Sequence, residues 1–438
     1  MLIGADWVVT AAGRPIRDGA VLTHGHRVVE VAPLAELEAA HPDEPVERFE
    51  GCVIVPGLVN AHTHLSLTVL AGLIEPMPMR QFLKAVTTAV LAMGNDEFAA
   101  SATMGALECL RCGVTWVGDI GYGPEPLAAC ADTGVGGVFY WEVLGIEADD
   151  LSGELAEREF PAEVSACTTG RTRCGISPHT PYTSGPRLIQ AEWQVAQHHH
   201  TGFAIHVAES HAERDLMRKG EGPLVQLAGR LAHGFVVPKT GSVDYLDRLG
   251  VLKDAVAIHC VHIDPGDIMR LKHAARGVVL CPRSNAWLEN GTAPVAELSS
   301  AGVRLALGTD SPASNADMDL FAEARSARKI DPSLTARRLL TMMTADAAKV
   351  LGLEDVCGTL APGMSADLAV VRTGQTTDPE NAVITQGGPD TVRAVLSAGV
   401  WRVREGKVAL PTSAAKRAAE EARGVASRAL QNAGEKPA

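Results

Sequence analysis

Two patterns of apolar and polar positions divide the chain. At both ends, short apolar runs alternate with turn residues. Residues 2–10, 19–22 and 27–31 read as strands, with a turn at Gly13-Arg14-Pro15. Residues 366–371 and 392–396 read the same way, and 400–404 followed by Glu405-Gly406 reads as a hairpin. Strand-rich ends flanking a long middle predict one small β-sandwich domain assembled from residues 1–55 and 356–412. The middle, residues 56–355, instead alternates short apolar runs with helical periodicity. The runs are 53–55, just before it, then 114–117, 137–141, 174–176, 203–205, 255–258, 278–280 and 305–307. Stretches such as 186–197 and 264–275 carry apolar residues at helical spacing. Eight strand–helix units in this order predict an α/β fold, a (β/α)8 TIM barrel. The Ala-rich residues 413–422, with Lys and Glu at helical spacing, predict a helical tail over 413–438.

Length and composition narrow this picture. The 438 residues are ample for one large domain and a smaller one. A 46% hydrophobic and 21% charged chain is ordinary for a soluble enzyme. The formal net charge of −13, without any Lys/Arg-rich run, argues against nucleic acid and anionic membranes as partners. No apolar run approaches the roughly 20 residues of a membrane span, and the first ten residues lack a secretory pattern. The expectation is a cytoplasmic protein. The nine scattered cysteines suit free thiols, and Cys109 and Cys112 read as buried helix thiols rather than a redox or zinc pair.

Candidate chemistry collects where the barrel pattern puts it. His62 and His64 follow the first barrel strand, His179 the fourth, His206 and Glu209 the fifth, and His259 the sixth, while Asp310 ends the eighth. Strand C-termini converge on one mouth of a barrel. His62 and His64, two apart on an extended segment, point the same way. Two imidazoles on one face, a third from His206 and the Asp310 carboxylate make a ligand set for one zinc or iron ion, with room for a water.

These residues lie in stretches that resemble the amidohydrolase superfamily. They are PGLVNAHTH at 56–64, SPHTPY at 177–182, HVAE at 206–209, HCVH at 259–262, CPRSN at 281–285, LGTDS at 307–311 and GTLAPGMSADL at 358–368. The resemblance is narrower to a branch with one metal ion that contains guanine, adenosine-analogue and triazine deaminases or chlorohydrolases. It implies that His62, His64, His206 and Asp310 hold one divalent ion per chain, Zn2+ first and Fe2+ second. The ion would bring a bound water toward neutral pKa, and Asp310 would take a proton from that water. Glu209 would protonate a ring nitrogen and then the departing amine, and His259 would hydrogen-bond the developing oxyanion. Binuclear relatives carry a Lys on strand four; residues 173–179 contain none. His179 would contact substrate. A homodimer or larger assembly follows from the same resemblance.

Other residues are read alongside this set. Arg283 and Ser284 follow strand seven and are candidate substrate contacts. Phe82, after strand one, is placed either against a flat ring or in the core. His262 is read as a packed residue, the His198–His200 run as a solvated helix end, and Asp119 as a turn cap. Trp116, Trp141 and Trp287 are read as core or pocket wall.

Within the branch, YLDRLG at 245–250, HCVHID at 259–264 and CPRSN at 281–285 look most like aminodeoxyfutalosine deaminases, which act on the adenine of a nucleoside. Some nucleoside deaminases of this branch place a ribose-binding Glu in the helix after strand one. Here Leu91 stands at the comparable place, residues 80–94 hold no acid, and Glu75 has the wrong offset. The expected function is therefore hydrolytic deamination of an aminated N-heteroaromatic ring, the adenine of a nucleoside such as aminodeoxyfutalosine first, with a small-molecule heterocycle as the substrate partner. The alternatives are a triazine chlorohydrolase or aminohydrolase, a guanine or pterin deaminase, and a catalytically inactive binding barrel. Glu209 favours deamination, because an amidine-like carbon needs its ring nitrogen protonated before attack.

Overall fold

The computed structural model describes residues 1–143, 170–231, 235–410 and 412–434. Eight parallel strands follow one another around a nearly closed barrel. They are Leu58–Thr63, Val114–Gly121, Gly136–Val143, Thr172–Pro178, Gly202–Val207, Val256–His259, Gly277–Leu280 and Leu305–Leu307. A bridge between Thr63 and Asp310 joins the last strand back to the first, and the Asp310 amide donates to the His62 carbonyl at 3.0 Å. The interior is filled rather than open. Val59, Trp116, Val138, Tyr140, Ile258 and Val279 pack inside it, and helix Ala345–Leu351 packs against this core.

The first barrel strand differs from the sequence expectation. Residues 53–55 belong to Val46–Pro56, which pairs with Leu2–Val8 and Leu368–Arg372 in the other sheet. The apolar run simply continues past Pro56-Gly57 into the barrel, so period alone could not divide it. Gly57 marks the crossing: a Cβ there would stand 2.1 Å from Thr115 Oγ1.

The second sheet has nine strands drawn from both chain ends. Val46–Pro56 sits between Leu2–Val8 from the N-terminal side and Leu368–Arg372 from the C-terminal side. The sheet curls so that its far strand, Arg27–Pro33, reaches the segment leading into Leu368–Arg372: Val28 N donates to Met364 O at 2.9 Å, and Ala366 N to His26 O at 2.8 Å. Ile3, Val21, Ile54, Leu368 and Leu396 fill the enclosed core. Asp367 ties this sheet to the barrel, accepting from Trp116 Nε1 at 2.9 Å and pairing with Arg171 at 3.0 Å.

Helix Ser413–Asn432 forms most of the expected tail, and residues 435–438 lie outside the described chain. It packs on helices Met79–Val90 and Asn95–Arg111, and Arg423 donates to the Val69 and Ala71 carbonyls. The described cysteines are free and buried, Cys109 inside the helix and Cys112 at its end. No helix among the described residues is long and apolar enough to cross a membrane.

Candidate active site

The barrel seam brings the first and last of the expected ligands together. His62 Nε2 and His64 Nε2 lie 3.2 and 3.5 Å from Asp310 Oδ1. The His206 ring stands 5.0 Å from that of His62 and 5.5 Å from that of His64, between ring centres. His206 Nδ1 faces the His179 carbonyl at 2.9 Å; its N–H donates there and leaves Nε2 for the centre of the mouth.

Burial drives His62 and His206 down from the usual imidazole range and takes His64 to about 4. Burial opposes the Asp310 carboxylate, yet the His62 hydrogen bond and the surrounding imidazoles hold it well below the ordinary range. Imidazoles that burial keeps neutral thus face an ionised oxygen, and the His62–Asp310 hydrogen bond between them would give way to a shared cation. This donor set fits a divalent cation, and the ligand atoms of His62, His64 and Asp310 all lie within 4.8 Å of one another.

The backbone around the site is strained in a consistent way. His259 and Cys260 at the end of strand six, Ala208 after strand five and Asp310 after strand eight have φ of 75°, 49°, 53° and 59°. Non-glycine residues adopt this left-handed region at a cost, and such positions cluster at functional sites. Ala208 directly precedes Glu209, and His259 and Asp310 are themselves members of the cluster.

Supporting groups hold it there. Asp119 Oδ1 accepts from Thr63 Oγ1 and from Leu65 N, each at 2.7 Å, so it grips the chain on both sides of His64. Burial pushes its own pKa up to about 7. Glu213 accepts from the backbone amides of Ala208 and Glu209 at 2.7 and 2.8 Å and fixes the turn that carries Glu209. Asn290 Nδ2 donates to Glu209 Oε1 at 3.0 Å, and His259 Nε2 lies 3.5 Å from the same oxygen. Burial first, then the charges of Asp310 and Glu213, push the Glu209 pKa well above the usual carboxylate range. Asn285 Oδ1 holds His259 Nδ1 at 3.0 Å.

A cavity of about 870 Å3 opens above these groups. His64, His179, Glu209, His259 and Asp310 border it at the barrel end, and Met79, Phe82 and Val86 of helix Met79–Val90 wall one side. His179 Nδ1 is held by Thr183 Oγ1 at 2.8 Å. Of the expected substrate contacts, His179 and Phe82 border the cavity, while Arg283 and Ser284 do not. The Arg283 guanidinium pairs with Asp317 at 2.6 Å, and its amide donates to Glu323 at 3.1 Å. Ser284 is fully buried and donates to Asp310 Oδ2 at 2.6 Å. Both sit on the short helix Pro282–Trp287, whose turn carries them behind Asp310 instead of over the mouth. His262 is a packed residue, with Nε2 2.6 Å from the Asn290 carbonyl.

Asn290, Glu213 and Glu142 were absent from the sequence reading. The first two lie in polar segments with no distinguishing pattern. Glu142, which closes the apolar third strand and borders the cavity, carried the same signal as Asp119.

Converging imidazoles, a low-pKa carboxylate and a buried glutamate, all at the C-terminal rim of an eight-stranded parallel barrel, define a metal-dependent hydrolase. Comparison with known proteins agrees. The amidohydrolase family profile matches residues 53–402, and an imidazolonepropionase-like composite domain profile from bacteria matches residues 19–43. The 5-methylthioadenosine/S-adenosylhomocysteine deaminase of Pelotomaculum thermopropionicum is 33% identical over 384 residues, 85% of this chain and 84% of that protein. The aminodeoxyfutalosine deaminase of Deinococcus radiodurans is 33% identical over 372 residues, 80% of this chain and 85% of that protein. The crystal structure of an adenosine deaminase from Xanthomonas campestris with bound zinc superposes with a TM-score of 0.84 at 25% identity, over 97% of this chain and 98% of that one. The chain belongs to the amidohydrolase family and is a hydrolase acting on carbon–nitrogen bonds.

Proposed function

We propose that the protein hydrolytically deaminates an aminated N-heteroaromatic ring, and that the ring is the adenine of a nucleoside such as aminodeoxyfutalosine. The observation that carries this reading is Glu209: a buried carboxyl group, anchored by Asn290, its pKa raised well above the ordinary range by burial, and set beside the imidazole–carboxylate cluster at the cavity floor. A neutral carboxylic acid at that point is what an aromatic amidine requires. The names of the relatives support the same reaction class and nucleoside substrates.

In this reading His62, His64, His206 and Asp310 hold one divalent ion, which we assign as zinc. When bound, it supplies Lewis acidity and makes a water acidic enough to attack near neutral pH. Asp310 accepts a proton from the attacking water. Glu209 delivers its proton to the ring nitrogen adjacent to the reacting carbon, so that the electron pair displaced from the C=N bond has somewhere to go. His259, held by Asn285, lies along the face where the new oxygen develops charge. Collapse of the tetrahedral carbon breaks the bond to the exocyclic nitrogen, which takes up a proton and leaves as ammonia. His179 and Phe82 place the flat ring over the floor. A cytoplasmic homodimer or larger assembly completes the proposal.

The test is ammonia release from a panel of adenine nucleosides, guanine, pterins and aminotriazines, with chloride release from chlorotriazines measured in parallel. Adenine nucleosides are expected to be turned over. Chloride release with no ammonia from any nucleoside would replace this reading with the chlorohydrolase one. Purified protein is expected to hold about one equivalent of zinc, as a site with four protein ligands requires.

A further inference from the structure

Glu142 is the last residue but one of the third barrel strand and borders the cavity, yet neither of its oxygens makes a hydrogen bond of good geometry among the described residues. The residue is 4% exposed. A buried carboxylate left without donors is costly, and native structures retain one where something else completes it. Among the described residues, the neighbouring side chains do not. His206 Nδ1 lies 3.9 Å away, and its N–H is already given to the His179 carbonyl. His179 Nδ1 is occupied by Thr183 Oγ1, and no hydrogen bond joins its ring to Glu142 although the two lie within 4.8 Å. The Tyr122 hydroxyl faces it closely enough to lower its pKa as a donor would, yet falls short of hydrogen-bonding geometry. A second metal ion would need nitrogen lone pairs from His206 and His179, and the ring position of His206 facing Glu142 carries a proton instead of a lone pair.

What remains is the cavity. We propose that Glu142 is a substrate-binding residue whose two oxygens accept the hydroxyl groups of a sugar attached to the ring, as a carboxylate accepts a vicinal diol. This rests on the nucleoside reading above. It also fills a gap in the sequence: the helix after strand one, which walls the same cavity, carries no acid between residues 80 and 94. The third strand then supplies the sugar contact that this helix lacks. Sugar and base would then occupy the cavity that Glu142, Glu209 and His179 all border, with His179 beside Glu142.

The experiment compares adenosine with 2′,3′-dideoxyadenosine. Affinities are measured by calorimetry in the Glu209→Gln background, so that ligand is not consumed, with and without Glu142→Gln. Ammonia release and metal content are measured in the Glu209 protein. With Glu142 present, adenosine should bind about 100-fold more tightly than the dideoxynucleoside, since a site built for a hydroxyl discriminates strongly against its loss. Glu142→Gln should shrink that ratio to about threefold or less, with the metal retained. Equal affinity for both ligands in the Glu142 protein overturns the proposal. So does discrimination that survives Glu142→Gln, loss of the metal in that variant, or binding of neither ligand. Ammonia release from adenosine without hydroxyl discrimination would remove this subsite and leave the deaminase reading standing. No ammonia from any adenine nucleoside would remove the deaminase reading itself.

Discussion

Replacing Asp119 by alanine removes a residue that touches neither ion nor substrate in this account, and the structure lets the consequence be sized. Two hydrogen bonds at 2.7 Å disappear, one to the Thr63 hydroxyl and one to the Leu65 amide, and both donors are buried. A hydrogen bond to a charged acceptor is worth about 1.5–3 kcal/mol, so the gross loss is about 3–6 kcal/mol. Burial keeps the carboxyl pKa at about 7, against 3.8 for a free carboxyl, even with both hydrogen bonds in place, so near neutral pH the acceptor is only partly charged and the net loss is smaller. A net loss of about 1–3 kcal/mol in folding stability is therefore expected. The local effect is larger than the global one, because the two lost bonds flank His64. Supporting groups of metal ligands typically change affinity by about 10–100-fold, and we expect a loss in that range. Asp119→Asn keeps an oxygen acceptor for both donors and should lose about tenfold at most. Competition with a chromogenic chelator measures the affinities, and urea unfolding of the metal-free proteins measures stability. If Asp119→Ala retains wild-type metal affinity, the support role is wrong. If the Asn variant falls as far as the Ala variant, charge and not hydrogen-bond geometry is what Asp119 provides.

Other expectations test separate parts of the site. Glu209→Gln should keep its metal and lose about 10²–10⁴ in kcat, the usual contribution of a positioned acid; ordinary turnover would remove it from the reaction. Phe82→Ala should raise KM, whereas Arg283→Ala should leave KM within about twofold and lower stability by about 1 kcal/mol, since its ion pair with Asp317 is partly exposed. A large KM change for Arg283→Ala would put that residue back among the substrate contacts. His179 has its pKa lowered from 6.5 to about 4 by burial, so the unfolded chain binds the proton more readily. As pH falls from 6.5 toward 4, metal-free wild type should lose about 3 kcal/mol relative to His179→Gln. A pH-independent stability difference between the two proteins would contradict the buried neutral imidazole.

Much of this site was legible before any coordinates, for a physical reason. A parallel barrel strand is an apolar run, so a histidine or carboxylate at its C-terminal end stands out, and the fold dictates that such ends meet. His62, His206, His259 and Asp310 were found in that way. The same logic would have found Glu142, which closes the run Phe139-Tyr140-Trp141. The errors arose where sequence adjacency stands in for direction. Arg283 and Ser284 do follow strand seven, but one helical turn sends Arg283 toward Asp317 and Ser284 toward the back of Asp310. Glu213 and Asn290 act through backbone amides and a single side-chain oxygen, contacts set by the turns that place them and invisible to periodicity. The first barrel strand was displaced because Val46–Pro56 and Leu58–Thr63 are apolar in succession and only Gly57 separates the two sheets.

The bridge between Thr63 and Asp310 has a consequence for how the protein comes into being. His62 and Asp310 are 248 residues apart in the chain. Closing so long a span carries a chain-entropy cost, which the pairing of the strands between reduces. During synthesis, the imidazole pair emerges long before its carboxylate, so a growing chain offers an ion only a partial and weak grip. Full coordination becomes available when the ring of strands shuts. An ion held by His62, His64, His206 and Asp310, as proposed above, would span that joint and tie the first barrel strand to the last.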